Sequence, residues 1–449
     1  MKRTIWKGQG FCAVEEDGHL TEYLKTLPFT PTHAQLRVLS EVARDMASPI
    51  PMNRMIEGDV GSGKTSIALF ALYAAAQDGY QGALLAPTEI LARQHYEALK
   101  GLFGDQCGLL LGSESLREKR EALQKLASGA WKAVTGTHAL LSQNVEFHRL
   151  GVVICDEQHR FDVSQRAAME QKGVRPDVLV MSATPIPRTL ALILYGDLDL
   201  SVIDELPAGR KPIKTHLVGP SKRKDMYRYL AARAKEGEQS YVVCPLIEKT
   251  EGLEGLSVDE VYDEVHELVG DVPLLKLHGR MPEAEKQAVM TKFHAGEAPI
   301  LISTTVIEVG VHVPQAAHMV IEGAERFGLS AMHQLRGRVG RGDQQAHCYL
   351  VVYEQKRNAM ERLQAMLDTN NGFEIAERDL QLRGAGDLMG IRQAGEEREE
   401  GFLKDCPVSL LEAASVDAAE VYSLPTLENE QLMDAARRRY RGMENIALN

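Results

Sequence analysis

The chain has 449 residues, of which 44% are hydrophobic and 25% charged, and its formal net charge is −12. This length is too great for one hydrophobic core, so we expect two or three domains. The apolar runs are too short to span a bilayer and no apolar stretch follows the basic N-terminus, so the sequence predicts neither a membrane protein nor a secretory signal.

The charge and the cysteines narrow the class further. A net charge of −12 argues against a protein that coats nucleic acid passively, but a motor needs only a few local phosphate contacts that it releases in every cycle. The six cysteines form no CxxC pair, which favours reduced thiols in a cytoplasmic protein over a disulfide framework or a zinc site.

The first 28 residues have little periodicity and are predicted to be a lead-in to the core or the remnant of something larger. From residue 29 to 205, short apolar strands alternate with amphipathic helices, the pattern of a doubly wound α/β domain. The predicted strands are residues 82–86, 131–136, 151–155 and 177–182, and the predicted helices are residues 89–102 and 115–128.

A second run of the same kind is predicted for residues 206–355. Its Pro- and Gly-containing start, near residues 206–212, marks the joint, and residues 248–256 are predicted to be a surface loop. Residues 356–449 are predicted to be a charged helical region ending in the basic run 437–441. The strands predicted for this second domain are residues 239–244, 274–277, 300–303, 318–321 and 347–352.

The strongest motif is Gly58-Asp-Val-Gly-Ser-Gly-Lys64-Thr65, a match to GxxxxGK[ST] between an apolar segment and a helix predicted for residues 67–77. Lys64 is predicted to neutralise the β- and γ-phosphate oxygens of ATP, and the Thr65 hydroxyl to hold Mg²⁺. A glycine-rich turn is the alternative. The small residues that let backbone N–H groups surround the phosphate are Gly58, Gly61, Ser62 and Gly63.

Asp156 and Glu157 follow a predicted buried strand, where a carboxylate would lie at the carboxyl edge of the sheet beside the phosphate loop. Asp156 is predicted to hold Mg²⁺, and Glu157 to polarise the attacking water. An ordinary acidic loop after a strand is the alternative.

Upstream of the loop, Gln35 is a candidate reader of the adenine edge and Phe29 a candidate for packing on the ring. Taken alone, the same stretch is more typical of a helix N-cap at Thr30 or Thr32 with core packing.

Six segments, in the expected order, resemble the conserved motifs of superfamily 2 helicases. Motifs Ia, Ib and II correspond to Ala86-Pro-Thr-Glu-Ile-Leu91, Thr135-Gly-Thr-His138 and Asp156-Glu-Gln-His159. Motifs III, V and VI correspond to Ser182-Ala-Thr184, Ser303-Thr-Thr-Val-Ile-Glu-Val-Gly310 and Gln334-Leu-Arg-Gly-Arg338-Val-Gly-Arg341.

The finer resemblance, over about nine-tenths of the chain, is to the RecG family of bacterial DNA translocases. It is carried by Met52-Asn-Arg54, Asp156-Glu-Gln-His-Arg-Phe161, Thr184-Pro-Ile-Pro-Arg188, Leu206-Pro-Ala-Gly-Arg210, Ala324-Glu-Arg-Phe-Gly328, Asp379-Leu-Gln-Leu-Arg-Gly-Ala-Gly386 and Gly390-Ile-Arg-Gln-Ala-Gly395. The last two resemble the translocation motif, which RecG shares with the transcription-repair coupling factor.

The resemblance implies an α/β protein with two tandem RecA-like P-loop domains and a C-terminal helical region bearing the translocation motif. It also implies ATP and Mg²⁺ as cofactors and branched or duplex DNA as the partner. The implied activity is that of an ATP-dependent DNA helicase acting in recombination and replication-fork repair.

Individual roles follow from the motifs. Arg338 and Arg341 are three apart, so on a helix they would share a face and reach the γ-phosphate as arginine fingers; a solvated basic helix is the alternative. Gln334 is assigned to the nucleotide. The residues assigned to DNA contact or to coupling are Thr88, Thr137, His159, Ser182, Thr184, Ser303, Thr304, Arg383, Arg392 and Gln393.

For the threonines, simple β-propensity is the alternative, and for His159 it is a place in the core.

Three features depart from the family pattern. Only residues 1–28 precede the core, so we expect the family's N-terminal wedge to be missing, which leaves fork selectivity and strand separation as open questions. His312 stands where the family has Asp, and Asp162 where it has Gly.

The alternatives are therefore a translocase that does not unwind, a non-catalytic ATP- and DNA-binding clamp, and a subunit of a split RecG. A separate wedge-bearing chain or a single-strand-binding protein is a candidate partner.

Overall fold

Two parallel β-sheets, one in each half of the chain, form the frame of the protein in a computed structural model. The residues described are 18–157, 169, 172–173, 175–182, 198–207, 211–246, 257–305, 313–340, 342, 344–354, 356–383, 410, 413–414, 417–418, 421 and 426–439. The predicted α/β class with two tandem RecA-like domains is confirmed.

The first sheet has seven parallel strands in the order β3-β4-β2-β5-β6-β1-β7. Its inner strands are buried along nearly their whole length, because helices cover both faces of a parallel sheet. The strands are β1 Asn53–Gly58, β2 Gln81–Leu85, β3 Cys107–Leu110, β4 Ala133–Gly136, β5 Leu150–Asp156, β6 Asp177–Ser182 and β7 Asp199–Ile203.

Five described helices accompany this sheet: α1 Gly18–Thr26, α2 His33–Met46, α3 Lys64–Gln77, α4 Glu89–Phe103 and α5 Leu116–Ala127. The first of them lies within the segment predicted as a lead-in, where no helix was assigned from the sequence. Tyr23 of α1 is buried against Phe70 and Tyr73 of α3, and its hydroxyl donates a hydrogen bond of 2.7 Å to the Ser66 carbonyl. This helix therefore packs on the helix that follows the phosphate loop.

The second sheet has six parallel strands in the order β10-β11-β9-β12-β13-β8. The strands are β8 Lys214–Val218, β9 Gln239–Val243, β10 Leu274–Leu277, β11 Ile300–Ser303, β12 Ala316–Ile321 and β13 His347–Val351. The described helices of this half are α6 Pro220–Lys235, α7 Val258–Val269, α8 Glu283–His294 and α9 Leu329–Arg336. The loop predicted for residues 248–256 lies outside the described residues.

The C-terminal region contains helices α10 Arg357–Asp368, α11 Gly372–Arg383 and α12 Leu427–Arg439. Leu363 and Met366 of α10 and Ile375 of α11 belong to the hydrophobic core of the second sheet. The Arg336 guanidinium at the end of α9 donates to the carbonyls of Met366 and Thr369, at 2.8 and 3.0 Å. Helices α9, α10 and α11 are thus fixed to one another.

Within the part of the chain that the structure describes, no helix has the length and apolar character needed to cross a membrane. The four described cysteines (Cys107, Cys155, Cys244 and Cys348) are buried and form no disulfide bond with one another.

Candidate nucleotide site at the junction of the two lobes

The phosphate loop runs from the end of β1 into α3, the strand–loop–helix setting that the motif requires. Gly63 precedes α3 in the left-handed conformation, with φ 91°. A Cβ atom there would lie 2.2 Å from Gln35 Nε2, so both the backbone angle and the space require glycine. Gly63 therefore lets the chain turn from the loop into the first N–H groups of α3, where a phosphate of a nucleotide is expected.

The Lys64 ammonium group lies inside this loop. Its Nζ donates hydrogen bonds to the carbonyls of Gly58 and Asp59, at 2.6 and 2.9 Å. A phosphate would have to draw the ammonium away from these two carbonyls. Thr65, the other predicted cation-site residue of the loop, is the second residue of α3 and partly exposed.

Gln35 contacts the phosphate loop. Its Oε1 accepts from the Thr32 backbone N–H at 2.9 Å, completing a capping box at the start of α2, and its Nε2 donates to the Ser62 carbonyl at 2.7 Å. Both ends of this buried amide are used within the protein, while Phe29 is 46% exposed. The N-cap alternative at Thr32 describes this stretch, and the adenine-reading roles of Gln35 and Phe29 stay predictions.

Asp156 is the last residue of β5 and lies at the same sheet edge as the phosphate loop. Its Oδ2 lies 2.8 Å from Nε2 of His95 on α4. Burial by itself raises the pKa of Asp156, but the hydrogen bond and charge of His95, together with the charge of Lys64, outweigh it and hold the pKa below its usual range. The carboxylate is therefore ionised at neutral pH, as a cation ligand must be.

Glu157 follows with φ 57°, one of two described non-glycine residues with a positive φ. A non-glycine residue in this region costs free energy, and such strain concentrates where a side chain must be aimed at a site.

The part of the chain built on the first sheet is called the first lobe, and the part built on the second sheet, with the helices α10 and α11 that pack on it, the second lobe. Gln334 and Arg338 of the second lobe are both buried. The expectation that Arg338 and Arg341 share a helix face was wrong for Arg338, because α9 ends at Arg336. Gly337 caps the helix, and Gly340 has φ 75°, which a continuing helix cannot accommodate. Arg338 therefore lies in the turn after α9; Arg341 lies outside the described residues.

The two lobes meet at the phosphate loop. His333 Nε2 of α9 lies 2.6 Å from Asp59 Oδ1, across 274 residues of sequence. Val60 packs so closely on the turn after α9 that a Cβ atom on Gly337 would lie 2.7 Å from Val60 Cβ. Asp59 Oδ2 also accepts from the backbone N–H of Gly372, the first residue of α11, at 3.3 Å.

Burial raises the pKa of Asp59, but its hydrogen bond to His333 and the positive charge of His333, with smaller effects of the Val60 amide and Lys64, leave it lowered overall. This carboxylate is therefore also ionised. Three residues that make these contacts, Asp59, His95 and His333, were not singled out from the sequence. His333 directly precedes the segment that resembles motif VI, which was the one available signal.

The residues assigned to DNA contact or coupling have varied environments. Thr88 caps α4, where its hydroxyl accepts from the Leu91 N–H at 3.4 Å. The side chains of Thr137, Ser182, Ser303 and Thr304 are all buried. Among the described residues, the hydroxyls of Thr137 and Ser303 have no hydrogen-bond partner.

Arg383 ends α11, and its side chain lies outside the described residues. The same holds for the whole of His159, Asp162, Thr184, His312, Arg392 and Gln393.

Nowhere in the described ranges do three or more His, Cys, Asp or Glu side chains gather in a way that could hold a metal ion. A magnesium site of the phosphate-loop type does not need such a cluster, because waters and nucleotide phosphates supply most of its ligands. The hydroxyl of Thr65 and the ionised carboxylate of Asp156 are suited to this kind of site.

Three families match consecutive parts of the chain. Residues 32–193 match the DEAD/DEAH box helicase family, and residues 221–343 match the helicase conserved C-terminal domain. Residues 369–399 match the C-terminal part of domain 3 of ATP-dependent DNA helicase RecG. This last match includes all of α11.

Comparison with curated relatives also points to RecG helicases. The chain is 47% identical to the ATP-dependent DNA helicase RecG of Bacillus subtilis (strain 168), over 90% of this chain and 60% of the relative. It is 46% identical to the protein of the same name from Aquifex aeolicus, over 93% of this chain and 54% of the relative. The chain thus spans less than two-thirds of the length of these relatives.

Among solved structures, a RecG bound to a three-way DNA junction superposes with a TM-score of 0.73 and 42% sequence identity, covering 86% of this chain and 51% of that chain. Saccharomyces cerevisiae Dbp5 bound to RNA and ADP BeF3 superposes with a TM-score of 0.56 at 16% identity, over 84% of this chain and 94% of that one. The second likeness concerns the fold alone.

Proposed function

Because the chain belongs to the RecG family of helicases, we propose that it is an ATP-driven motor that translocates on branched or duplex DNA in recombination and replication-fork repair. The observation that carries this proposal is the direct contact of the phosphate loop with α9 and α11 of the second lobe. A motor needs such a contact, because nucleotide turnover in one lobe must move the other.

The residues of the first lobe have a role in hydrolysis. Lys64 would bind the β- and γ-phosphate oxygens, and Thr65 and the ionised Asp156 would hold Mg²⁺, directly or through water. The ion, when bound, would neutralise charge on the phosphates. Glu157 would orient and polarise the attacking water.

The second lobe would complete the site. Arg338 and Arg341 would reach the γ-phosphate when the cleft closes and stabilise the charge that develops during transfer. Gln334, on α9, would contact the nucleotide from the same side. Hydrolysis would then depend on the relative position of the lobes, which is how a motor links turnover to movement.

The DNA contacts would be to phosphates and not to base edges, so that the motor can move along any sequence. Thr88, Thr137, Ser303 and Thr304 would contribute hydroxyls or backbone N–H groups, and Ser182, Thr184 and His159 would couple the two sites. Arg383, Arg392 and Gln393 would act from the translocation motif. A wedge-bearing chain and a single-strand-binding protein stay candidate partners, and the cytoplasm the predicted compartment.

The test is ATP turnover measured without nucleic acid and with single-stranded DNA, linear duplex, a model fork or RNA. We expect stimulation by duplex or forked DNA that is lost in Lys64→Ala and Glu157→Gln. Lys100→Ala and Glu97→Gln, two exposed positions on α4, serve as matched controls and should behave as the wild type.

Equal stimulation by linear duplex and fork would mean that this chain does not itself select branches. Tight ATP binding without stimulated turnover would contradict the motor and favour the clamp or the split-protein subunit. Strand displacement on the fork, measured in the same samples, separates a helicase from a translocase that does not unwind.

A further inference from the structure

Asp59 is the phosphate-loop residue that touches two elements of the second lobe at once. Its Oδ1 lies 2.6 Å from His333 Nε2, and its Oδ2 lies 3.3 Å from the Gly372 backbone nitrogen. A carboxylate can only accept, so His333 Nε2 must be the donor in this contact. The side chains of Asp59 and His333 are 14% and 6% exposed, so solvent screens the pair little.

The contact with Gly372 has an electrostatic component. Gly372 begins the 12-residue helix α11, and the N-terminus of a helix carries unpaired N–H groups and a partial positive charge. The carboxylate of Asp59 therefore stabilises the start of α11 in its present position. This helix lies within the segment, residues 369–399, that matches domain 3 of RecG.

The backbone of the same residue faces the nucleotide site. Lys64 Nζ donates to the Asp59 carbonyl at 2.9 Å and to the neighbouring Gly58 carbonyl at 2.6 Å. When Lys64 turns to a phosphate it must weaken these bonds, and the peptide that it leaves carries the carboxylate bound to α9 and α11. The backbone carbonyl of Asp59 thus lies at the nucleotide site, and its carboxylate lies at the start of α11.

Helix α11 is bound to the neighbouring helices α9 and α10. Ser330 of α9 donates to Asp379 of α11 at 3.2 Å, and Arg336 of α9 holds the turn between α10 and α11. A shift of Asp59 would therefore be passed to the three helices as a unit.

We infer that Asp59 is a positioning residue that couples the nucleotide state of the phosphate loop to α11 through His333 and the Gly372 amide. This inference rests on the proposed motor function. It assigns to the loop a direct connection to the translocation-motif helix, in addition to whatever the arginines of the second lobe transmit.

The first test changes His333 and leaves the phosphate loop intact. His333→Leu removes the donor to Asp59, whereas His333→Gln keeps an amide donor at a similar reach; both remove the contact of His333 Nδ1 with Arg336 at 3.1 Å. Their difference therefore isolates the bond to Asp59. His318→Leu is the matched control, because His318 is equally buried and also pairs with a carboxylate, Glu238, at 2.6 Å within its own lobe.

We expect His333→Leu to lower the duplex-stimulated kcat about tenfold, within the usual range of coupling between sites. The KM for ATP and the turnover without DNA should stay within about twofold of wild type, and His333→Gln should restore much of the stimulation. Equal stimulation in His333→Leu and wild type would overturn the inference. A raised KM with a lowered basal rate would also overturn it, because the contact would then merely support the loop.

The second test addresses the Gly372 amide. Proline at the first helical position is compatible with a helix but has no N–H, so Gly372→Pro removes the donor to Asp59; Gly372→Ala controls for the added side chain. The readout is hydrogen exchange of the backbone amides of α11 with and without a non-hydrolysable ATP analogue. It needs neither DNA nor turnover.

We expect the analogue to change exchange in α11 of the wild type and of Gly372→Ala, and to change it much less in Gly372→Pro and His333→Leu. An equal response in all four proteins would refute the coupling. If the wild type lacks DNA-stimulated turnover but shows the exchange response, the motor proposal fails and the coupling inference stands. If the wild type has DNA-stimulated turnover but shows no exchange response, the motor proposal stands and the coupling inference fails.

Discussion

His95 Nε2 and Asp156 Oδ2 lie 2.8 Å apart and join helix α4 to the end of β5. Both side chains are largely buried, and the histidine must donate because the carboxylate can only accept. The pair fixes the orientation of the carboxylate that we propose as a magnesium-site residue. In metal sites, partners of this kind tune the ligands that they hold.

We predict that His95→Leu weakens magnesium binding, so that ATP turnover requires more Mg²⁺. Without His95, the effect of burial on Asp156 is less opposed, so the pKa of the carboxylate rises and its charged form becomes less stable. The Mg²⁺ concentration at half-maximal turnover should increase about 10–100-fold, the usual effect of removing such a partner. The acid limb of the pH profile should move to higher pH.

His95→Gln keeps a donor near the same place, so its magnesium and pH profiles should lie between those of the wild type and of His95→Leu. Unchanged magnesium and pH profiles in His95→Leu would mean that Asp156 is oriented by other contacts.

Substitution at Gly63 tests the geometry of the phosphate loop. Gly63→Ala introduces a Cβ atom into a left-handed residue and places it 2.2 Å from Gln35 Nε2. We predict loss of nucleotide binding, with a destabilisation of about 1–3 kcal/mol from the backbone strain. Binding of a fluorescent ATP analogue and thermal unfolding measure the two effects separately.

Gly79→Ala is the matched control. Gly79 also has a positive φ, 78°, but the nearest atom to a Cβ there is Arg149 Nη1 at 4.0 Å. This variant should be destabilised by the strain alone and bind nucleotide as the wild type does. If Gly63→Ala binds normally, the crowding by Gln35 does not shape the loop.

Most of the strands predicted from sequence lie inside the sheets; the edge strand β10 is the exception, and the inner strand β1 was predicted only as an apolar segment before the phosphate loop. Residues 177–182 were predicted with the bounds that the structure has, because a strand flanked on both sides is apolar throughout. Three of the four edge strands, β3, β7 and β8, were missed. In β7 and β8 several residues are exposed or half-buried, so the apolar run that marks a strand is broken. Helix α1 was missed because it is short and lies in a weakly periodic segment.

The residues of the site likewise divide into those that a local sequence pattern indicates and those that only tertiary packing brings together. Lys64, Thr65 and Asp156 could be predicted because their chemistry lies in local spacing after a strand. The pair Asp59–His333 joins residues 274 positions apart, and no local pattern in one sequence relates them. The N-cap at Thr32 is local and was among the alternatives, and Gln35 completes it as a capping box. That its amide also holds the Ser62 carbonyl depends on how α2 packs on the loop.

Asp177 should make stability depend on pH in the direction opposite to most carboxylates. Burial raises its pKa well above the ordinary value of 3.8, with a smaller contribution from the charge of Asp45 and against the hydrogen bond from the Met52 N–H. The folded state therefore binds this proton more tightly than the unfolded chain. The contribution of Asp177 to stability is greatest below pH 4 and falls as pH rises towards the folded pKa.

We predict that Asp177→Asn removes this part of the pH dependence. The amide oxygen can still accept the 2.6 Å hydrogen bond from Met52, but the side chain no longer titrates. Urea unfolding between pH 4 and 8 should give a less negative slope of unfolding free energy against pH than in the wild type. Asp105→Asn, at an exposed aspartate of the same domain, should leave the slope unchanged, and parallel curves for all three proteins would contradict the assignment.

Arg336 should be intolerant of lysine even though the charge is conserved. The residue is 1% exposed, and Nη1 of its guanidinium donates to the Met366 and Thr369 carbonyls and lies 3.3 Å from Thr215 Oγ1. Nη2 lies 3.1 Å from His333 Nδ1, so both terminal nitrogens are used. The single ammonium of lysine, on a shorter side chain, cannot occupy both positions, and a buried carbonyl without a donor costs about 1–3 kcal/mol.

Arg336→Lys should therefore lower the free energy of unfolding by roughly 2–6 kcal/mol, counting two such carbonyls. It should also expose α10 and α11 to protease before the sheets. Arg357→Lys, at an exposed i,i+4 pair with Glu361, should change stability by less than about 1 kcal/mol. Limited proteolysis with mass analysis distinguishes early release of α10 and α11 from uniform destabilisation. The latter would mean that Arg336 supports the core of the second lobe and does not specifically hold the helices that follow it.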